Sequence, residues 1–420
     1  MQRQAREAVL GRIADDVRQS TQGPDGAGNS LRTGPGTTRS REIVVTLRFP
    51  VSNPGEHEGY VNAPDLFASA PMRVVVTGAT GNVGTAVLRA LDADPAVDEI
   101  VALARRAPGR PLGRAAFVAA DVATDQLEPI FAGADAIVHL AWLIQPGRDE
   151  SVTARVNLDG SRRVFAAAVA AKVPSLVYAS SVGAYSRGPK DRLVDESWPT
   201  DGISSSFYSR HKAAVERDLD RLAADQPGLR IVRLRPGLIF QRSAATEIRR
   251  LFAGPLLPGA LLRSRLAPFS SAVPGLRFQA VHSDDVADAY RRAVLSDVSG
   301  PFNVAADPVI GADELTQLLD ARPVRVPAGV VRRAAAVTFA LRLQPAEPGW
   351  IDMALGVPLM STDRVRGELG WSPRWSSLAA IGELVSGMRD GAEDQTPPLA
   401  RATGGPARIR EFITGLGKRP

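Results

Sequence analysis

The chain has no cysteine among its 420 residues, which excludes disulfides and thiolate metal sites. Its four histidines, His57, His139, His211 and His282, are scattered without metal-ligand spacing, so a metal enzyme is not expected. No uncharged apolar run reaches the length of roughly eighteen residues that a membrane span requires. The richest stretches, 251–266 and 330–343, are broken by proline or arginine. The first residues lack the apolar core of a signal peptide, and Glu7, Asp15 and Asp16 argue against a transit peptide, so a cytoplasmic location is expected. Lysine is scarce, at Lys172, Lys190, Lys212 and Lys418 only. Positive charge therefore comes from arginine. The net charge is +6, but the arginines are interspersed with acids rather than gathered with aromatics in a stripe, which argues against a nucleic-acid partner.

What is present suits a large soluble core, since 44% of the residues are hydrophobic. Residues 1–71 stand apart. Leu10, Ile13 and Val17 can line a short helix face, but 21–41 is rich in Gly, Ser, Thr and Arg and reads as part of a flexible extension. From Met72 strands and helices alternate. Strands are expected around 74–76, 99–104, 115–119, 135–141, 175–180 and 229–235, with helices over 149–172 and 207–224. This predicts an α/β fold, a doubly wound parallel sheet with right-handed crossovers. The dinucleotide-type domain is placed at 72–240, with returning strands within 275–305. A smaller, mostly helical lobe is placed at 241–274 and 306–390, and a surface tail at 391–420.

The chain is organised around Met72-Arg73-Val74-Val75-Val76-Thr77-Gly78-Ala79-Thr80-Gly81-Asn82-Val83-Gly84. A β-branched run stops at three glycines spaced for a strand, a tight turn and a helix start. Gly78 can take a positive φ, Gly81 admits close approach of a ligand and Gly84 lets helix and strand touch. With Thr80, Asn82 and Val83 they form a cradle for a pyrophosphate at the helix N-terminus. At the end of the second strand, where an acid would hold the ribose hydroxyl of NAD, the chain reads Ala104-Arg105-Arg106. Two guanidiniums suit a 2′-phosphate, so NADP is expected in preference to NAD. Asp121 and Val122, after the third strand, are placed to meet the adenine.

Tyr208-Ser209-Arg210-His211-Lys212 supplies the chemistry. Residues four apart share a helix face, so the phenol and the ammonium can act at one site. A free phenol titrates near pH 10, and an adjacent cation helped by an oxidised nicotinamide lowers that value. Tyr208 can then exchange a proton with a substrate oxygen. Ser181, just past the fifth strand, can hydrogen-bond the same oxygen, whereas Ser180 reads as a strand-end turn.

Together these features resemble the extended short-chain dehydrogenase/reductase family, also called the NAD-dependent epimerase/dehydratase family, over about residues 72–390. The resemblance rests on Thr77–Gly84, on Asp135–Ala141, on Val156-Asn157-Leu158-Asp159-Gly160, on Ser180-Ser181, on Tyr208 with Lys212, on Arg235-Pro236-Gly237 and on Val281–Ala287. It implies that Asn157 holds a lysine-linked water in a proton relay and that Lys212 also binds the nicotinamide ribose. It further implies that Leu140 and Ala141 touch the cofactor and that Pro236 packs near its nicotinamide end. Val182-Gly183 replace the Asp-Glu pair of the family's dehydratases, and Gly237–Arg242 departs from the usual continuation of nucleotide-sugar members. Trp142, Gln145, Tyr185 and Arg277 lie where such enzymes place substrate contacts, although core packing suits Trp142 equally well. Hydride transfer to or from a small molecule is the leading expectation. An NAD-retaining epimerase and a non-catalytic cofactor sensor are the alternatives. A homodimer through 149–172 and 207–224 is also expected.

Overall fold

Strands and helices alternate as far as β5 except between β2 and β3, where no helix intervenes, and a computed structural model describes the chain over residues 71–145, 148–252, 269–320 and 322–400. The Leu10–Val17 helix face, nearly all of the expected extension, the middle of 241–274 and the end of the tail lie outside the described residues. β1 (Arg73–Thr77) leads through the glycine turn into α1 (Asn82–Asp92), then β2 (Glu99–Ala104), β3 (Ala116–Ala119), α2 (Glu128–Phe131) and β4 (Ala136–His139). One long helical stretch follows, made of α3 (Glu150–Ala154), a π-turn (Arg155–Gly160) and α4 (Ser161–Ala170), before β5 (Ser175–Ala179). Next come β6 (Leu193–Val194), α5 (Phe207–Asp225), β7 (Arg230–Pro236), β8 (Leu238–Phe240) and α6 (Ala245–Phe252). β9 (Phe269–Ala272), β10 (Ala280–His282), α7 (Ser283–Leu295) and β11 (Gly300–Val304) complete this part.

Seven strands form one parallel sheet in the order β3-β2-β1-β4-β5-β7-β11. The order runs outward in both directions from β1, as a doubly wound fold requires. Side chains alternate faces along a strand. Val74 and Val76 accordingly pack with Val87, Leu91, Tyr290 and Val294 of α1 and α7. Val75 packs on the other face with Phe165, Val215 and Leu219 of α4 and α5. Burial on both faces explains why β1 is apolar throughout.

Of the returning strands expected within 275–305, one forms as β10 over Ala280–His282 and pairs with β8 in a separate two-stranded sheet, leaving β11 alone to extend the main one. Gly237 marks the divergence, since a Cβ there would stand 2.5 Å from the Gln279 carbonyl oxygen. Beyond residue 306 the chain is mostly helical: α8 (Ala312–Leu319), α9 (Ala328–Ala340), α10 (Gly349–Gly356), α11 (Asp363–Leu369) and α12 (Ser377–Asp390), with short strands at Arg322–Arg325 and Leu359–Met360. Asp285 fastens this part down. Its buried carboxylate accepts from the Arg374 and Trp375 N–H groups at 3.0 and 2.9 Å, while its carbonyl accepts from the Trp371 indole at 2.8 Å. Among the described residues no helix is long and apolar enough to cross a membrane.

Candidate active site

The turn after β1 is shaped by steric necessity. Gly78 has φ +70°, and a Cβ on it would stand 2.6 Å from the Ala141 nitrogen and 2.7 Å from the Leu140 carbonyl carbon. A Cβ at Gly84 would stand 2.4 Å from the Gly78 oxygen. The turn therefore presses against the end of β4 on one side and against its own helix on the other. No side chain caps α1 at Gly81, so its first N–H groups are left for a ligand. A cavity of about 350 Å³ opens here. Gly78, Thr80, Gly81, Asn82, Val83 and Gly84 line one part of it, Arg105, Arg106, Asp121 and Val122 another, and Leu140, Ala141 and Pro236 face it from the other strand ends. A dinucleotide fits this donor set, with the uncapped helix start for the pyrophosphate and the β2 and β3 ends for the adenosine ribose and base. Arg105 lies 3.9 Å from the Asp121 carboxylate. Asp121 also accepts from the Ala123 N–H at 2.9 Å, which shapes the loop after β3.

Ser181, Tyr208 and Lys212 line the same cavity. Ser206 caps α5 by accepting from the Ser209 N–H, which puts Tyr208 in the first turn. Ser209 donates from its hydroxyl to the Gly183 carbonyl and accepts from the Ile203 N–H at 2.6 Å, binding the loop after β5 to that helix. The Ser181 hydroxyl accepts from the Gly183 N–H at 3.0 Å and lines the cavity with Tyr208. Gly183 is required here. A Cβ on it would stand 2.9 Å from Cε1 of Tyr208 and 3.0 Å from the Met353 sulfur.

Lys212 is 2% exposed and donates to the Ala179 carbonyl at 2.6 Å. Its ammonium also lies 3.5 Å from the centre of the Trp142 ring and 5.8 Å from that of Tyr208. Burial holds the Lys212 ammonium well below its ordinary value, opposed by the Glu216 charge one turn on. The Tyr208 phenol is pushed up to about 12 by burial, with the Ser181 hydroxyl acting the other way. The lowering expected from the lysine is thus absent in the protein by itself. The cation faces Trp142 and a carbonyl, and desolvation of the phenolate outweighs it.

Glu216 lies one turn beyond Lys212 on α5. Fully buried, it accepts from the Ser180 hydroxyl at 2.5 Å, from Arg233 at 2.9 Å, and from Arg235 at 2.9 and 3.0 Å. Despite burial, these partners hold its carboxyl down at about 2, with Arg235 the strongest. Ser180, expected to serve as a turn residue, is a member of this network.

The π-turn was not foreseen. It lies in the middle of the expected 149–172 helix and carries Asn157 inward. The Asn157 carboxamide accepts from the Leu143 N–H at 2.7 Å and donates to the Leu143 carbonyl at 2.8 Å, so it clamps the loop after β4. The Asn157 carbonyl accepts from the Ser161 hydroxyl at 2.6 Å. Ser161 in turn receives Nε2–H of His139, whose Nδ1 accepts from Thr77 at 2.7 Å. Burial holds this histidine neutral, down at about 3.

Of the four expected substrate contacts, Trp142 lines the cavity and three do not. Gln145 is buried and donates to the carbonyls of Leu251 and Pro345. Tyr185 is wholly enclosed. It donates to Asn303 at 2.6 Å and accepts from Arg235 at 3.0 Å, because β7 and β11 close over it. Arg277 is exposed and donates to the Lys190 carbonyl away from the cavity. Residues that were not singled out take their place, notably Trp350, Met353, Leu251 and Phe252. They come from helices whose sequence carries no motif.

With this geometry in view, a family model of the NAD dependent epimerase/dehydratase family matches residues 74–305. The chain belongs to the NAD-dependent epimerase/dehydratase family. It is accordingly an enzyme, which sets aside the cofactor-sensor alternative. An uncharacterised protein of Mycobacterium tuberculosis is 27% identical over 333 residues, covering 76% of this chain and 84% of that one. An L-arabinose 1-dehydrogenase (NAD(P)(+)) of Haloferax volcanii is 31% identical over 187 residues, 42% of this chain and 70% of that one. Among solved structures, the UDP-glucose 4-epimerase of Thermus thermophilus in complex with NAD aligns at TM-score 0.56 and 23% identity, over 76% of this chain and 99% of that one. The UDP-N-acetylglucosamine 4-epimerase of Methanobrevibacter ruminantium aligns at 0.59 and 18%, over 77% and 100%. At such identities the structures establish the fold.

Proposed function

We propose that the enzyme is an NAD(P)-dependent oxidoreductase that moves hydride between a nicotinamide and a carbinol or carbonyl carbon. The observation that carries this reading is that Ser181, Tyr208 and, one turn along, Lys212 together line the wall of the cavity that the glycine turn opens. When bound, the dinucleotide supplies or accepts the hydride. Tyr208 gives its proton to the substrate oxygen or takes one from it. Ser181 donates to the same oxygen and so stabilises its developing charge. Lys212 brings a cation to the substrate side of the cavity, where the Glu216 charge opposes the effect of burial on it. Asn157 acts as a positioning residue by holding the Leu143 stretch of the wall.

We infer a preference for NADP over NAD because Arg105 and Arg106 follow β2 directly on the cavity wall, where an acid would favour NAD. A cytoplasmic location and a homodimer through α3–α4 and α5 complete the reading. An Arg162–Asp218 ion pair at 2.9 Å already sets these helices side by side. The test is a screen of alcohols, ketones and sugar nucleotides with both cofactors. Net oxidation or reduction of the nicotinamide supports the proposal. Interconversion of sugar epimers with no net absorbance change would replace it with the epimerase reading.

A further inference from the structure

The substrate end of the cavity has a chemistry that the nicotinamide end does not dictate. The Trp350 ring lies 5.0 Å from that of Tyr208, and Phe252 meets Trp350 edge-on, also at 5.0 Å. Trp142 meets Tyr208 edge-on at 5.9 Å. Leu251 and Met353 continue this wall. The acid–base phenol is thus set among aromatic rings and aliphatic side chains.

Charge is distributed the other way. Among the described lining residues the cations are Arg105, Arg106 and Lys212. The two arginines stand at the end of β2, Arg105 beside Asp121, in the dinucleotide part. Lys212 is engaged by the Ala179 carbonyl and the Trp142 ring. The one charged side chain that α6 adds to the wall is an acid, the buried Glu247. Among the described residues of this wall, a substrate diphosphate would lose its hydration against rings and a carboxylate, with no guanidinium to replace the water. An uncharged ring system would bury its surface there instead.

We propose that the site takes a secondary alcohol or ketone carried on an uncharged, apolar ring system rather than a nucleotide sugar, a statement that rests on the hydride-transfer reading above. In the reductive direction the carbonyl carbon gains the hydride and its oxygen gains the Tyr208 proton. The ketone becomes the alcohol and the reduced dinucleotide is oxidised. The reverse reaction returns the proton to Tyr208 and the hydride to the oxidised dinucleotide.

The test uses the full chain loaded with NADP, with the bicyclic ketone α-tetralone and with UDP-glucose as probes. Calorimetry measures binding to a Tyr208→Phe variant, so that turnover does not interfere, and nicotinamide absorbance follows the wild type with NADPH and NADH. α-Tetralone is expected to bind at least about tenfold more tightly than UDP-glucose. Trp350→Ala should weaken it by about tenfold or more and Trp350→Phe should restore most of the loss, both with unchanged cofactor affinity. Phe252→Ala, on a different helix, carries the same expectation should Trp350→Ala fail to fold. Tighter binding of UDP-glucose, or tetralone affinity indifferent to these substitutions, would overturn the proposal. Tetralone bound through Trp350 but never reduced would support the apolar site and count against the hydride-transfer reading.

Discussion

Gly78→Ala separates close approach from backbone conformation, and Gly133→Ala is its natural control. Both glycines have left-handed backbones, φ +70° and +74°, but a Cβ at Gly133 would meet nothing within 4 Å. Gly133→Ala therefore carries only the conformational penalty, about 1–2 kcal/mol. At Gly78 the new methyl would fall 2.6 and 2.7 Å from the backbone of Ala141 and Leu140, atoms of the chain itself that cannot rotate aside. Forcing them apart adds an overpacking cost of roughly 1–3 kcal/mol, giving about 2–5 kcal/mol in all. Urea unfolding of both variants measures the difference. Because the displaced turn and the displaced β4 end both line the cavity, Gly78→Ala should also weaken NADP binding by about tenfold or more, whereas Gly133→Ala leaves it unchanged. Equal destabilisation and equal affinity in the two variants would refute the steric reading of the turn.

Further expectations concern charge. Glu216→Gln leaves Arg235 buried without its counter-charge and should cost about 3–5 kcal/mol by chemical denaturation; a loss under about 1 kcal/mol would contradict the network. The Glu216 carboxyl is depressed from its ordinary 4.5 to about 2, so its contribution to stability is present above pH 4.5 and is lost as pH falls toward about 2. The Gln variant should lack that part of the acid transition. With the Tyr208 phenol pushed up to about 12, alcohol oxidation should climb with pH through the neutral and alkaline range, while ketone reduction, which uses the protonated phenol, should not fall there. An oxidation rate that drops as pH rises would contradict the assignment. Replacing Arg105 and Arg106 together by alanine should weaken NADPH more than NADH, and equal losses would show that neither guanidinium meets a 2′-phosphate.

Local pattern and chemistry made much of the core legible. Val74 to Val76 and the glycines behind them are constrained over a few residues, so spacing alone predicted the turn and the helix after it. Tyr208 and Lys212 share one helix face, which the interval of four already implies. The misplacements arose where distance along the chain is long. Tyr185 sits just past the serines of β5 but is sealed by Arg235 and Asn303, which come from distant strands. Trp350 and Phe252 reach the cavity from helices with no motif content, and their role follows only from packing. The π-turn at Asn157 left no trace in periodicity, because one extra residue in a long amphipathic helix shifts the pattern too little to read. The partner of β10 could not be read, because a short apolar run does not name the strand it pairs with.

The most direct test compares NADP affinity and single-turnover hydride transfer in wild type and Tyr208→Phe. Equal cofactor affinity with a transfer rate lower by about a hundredfold or more is the expected result, since the phenol is the proposed acid–base group. Transfer at the wild-type rate without that hydroxyl would contradict the account.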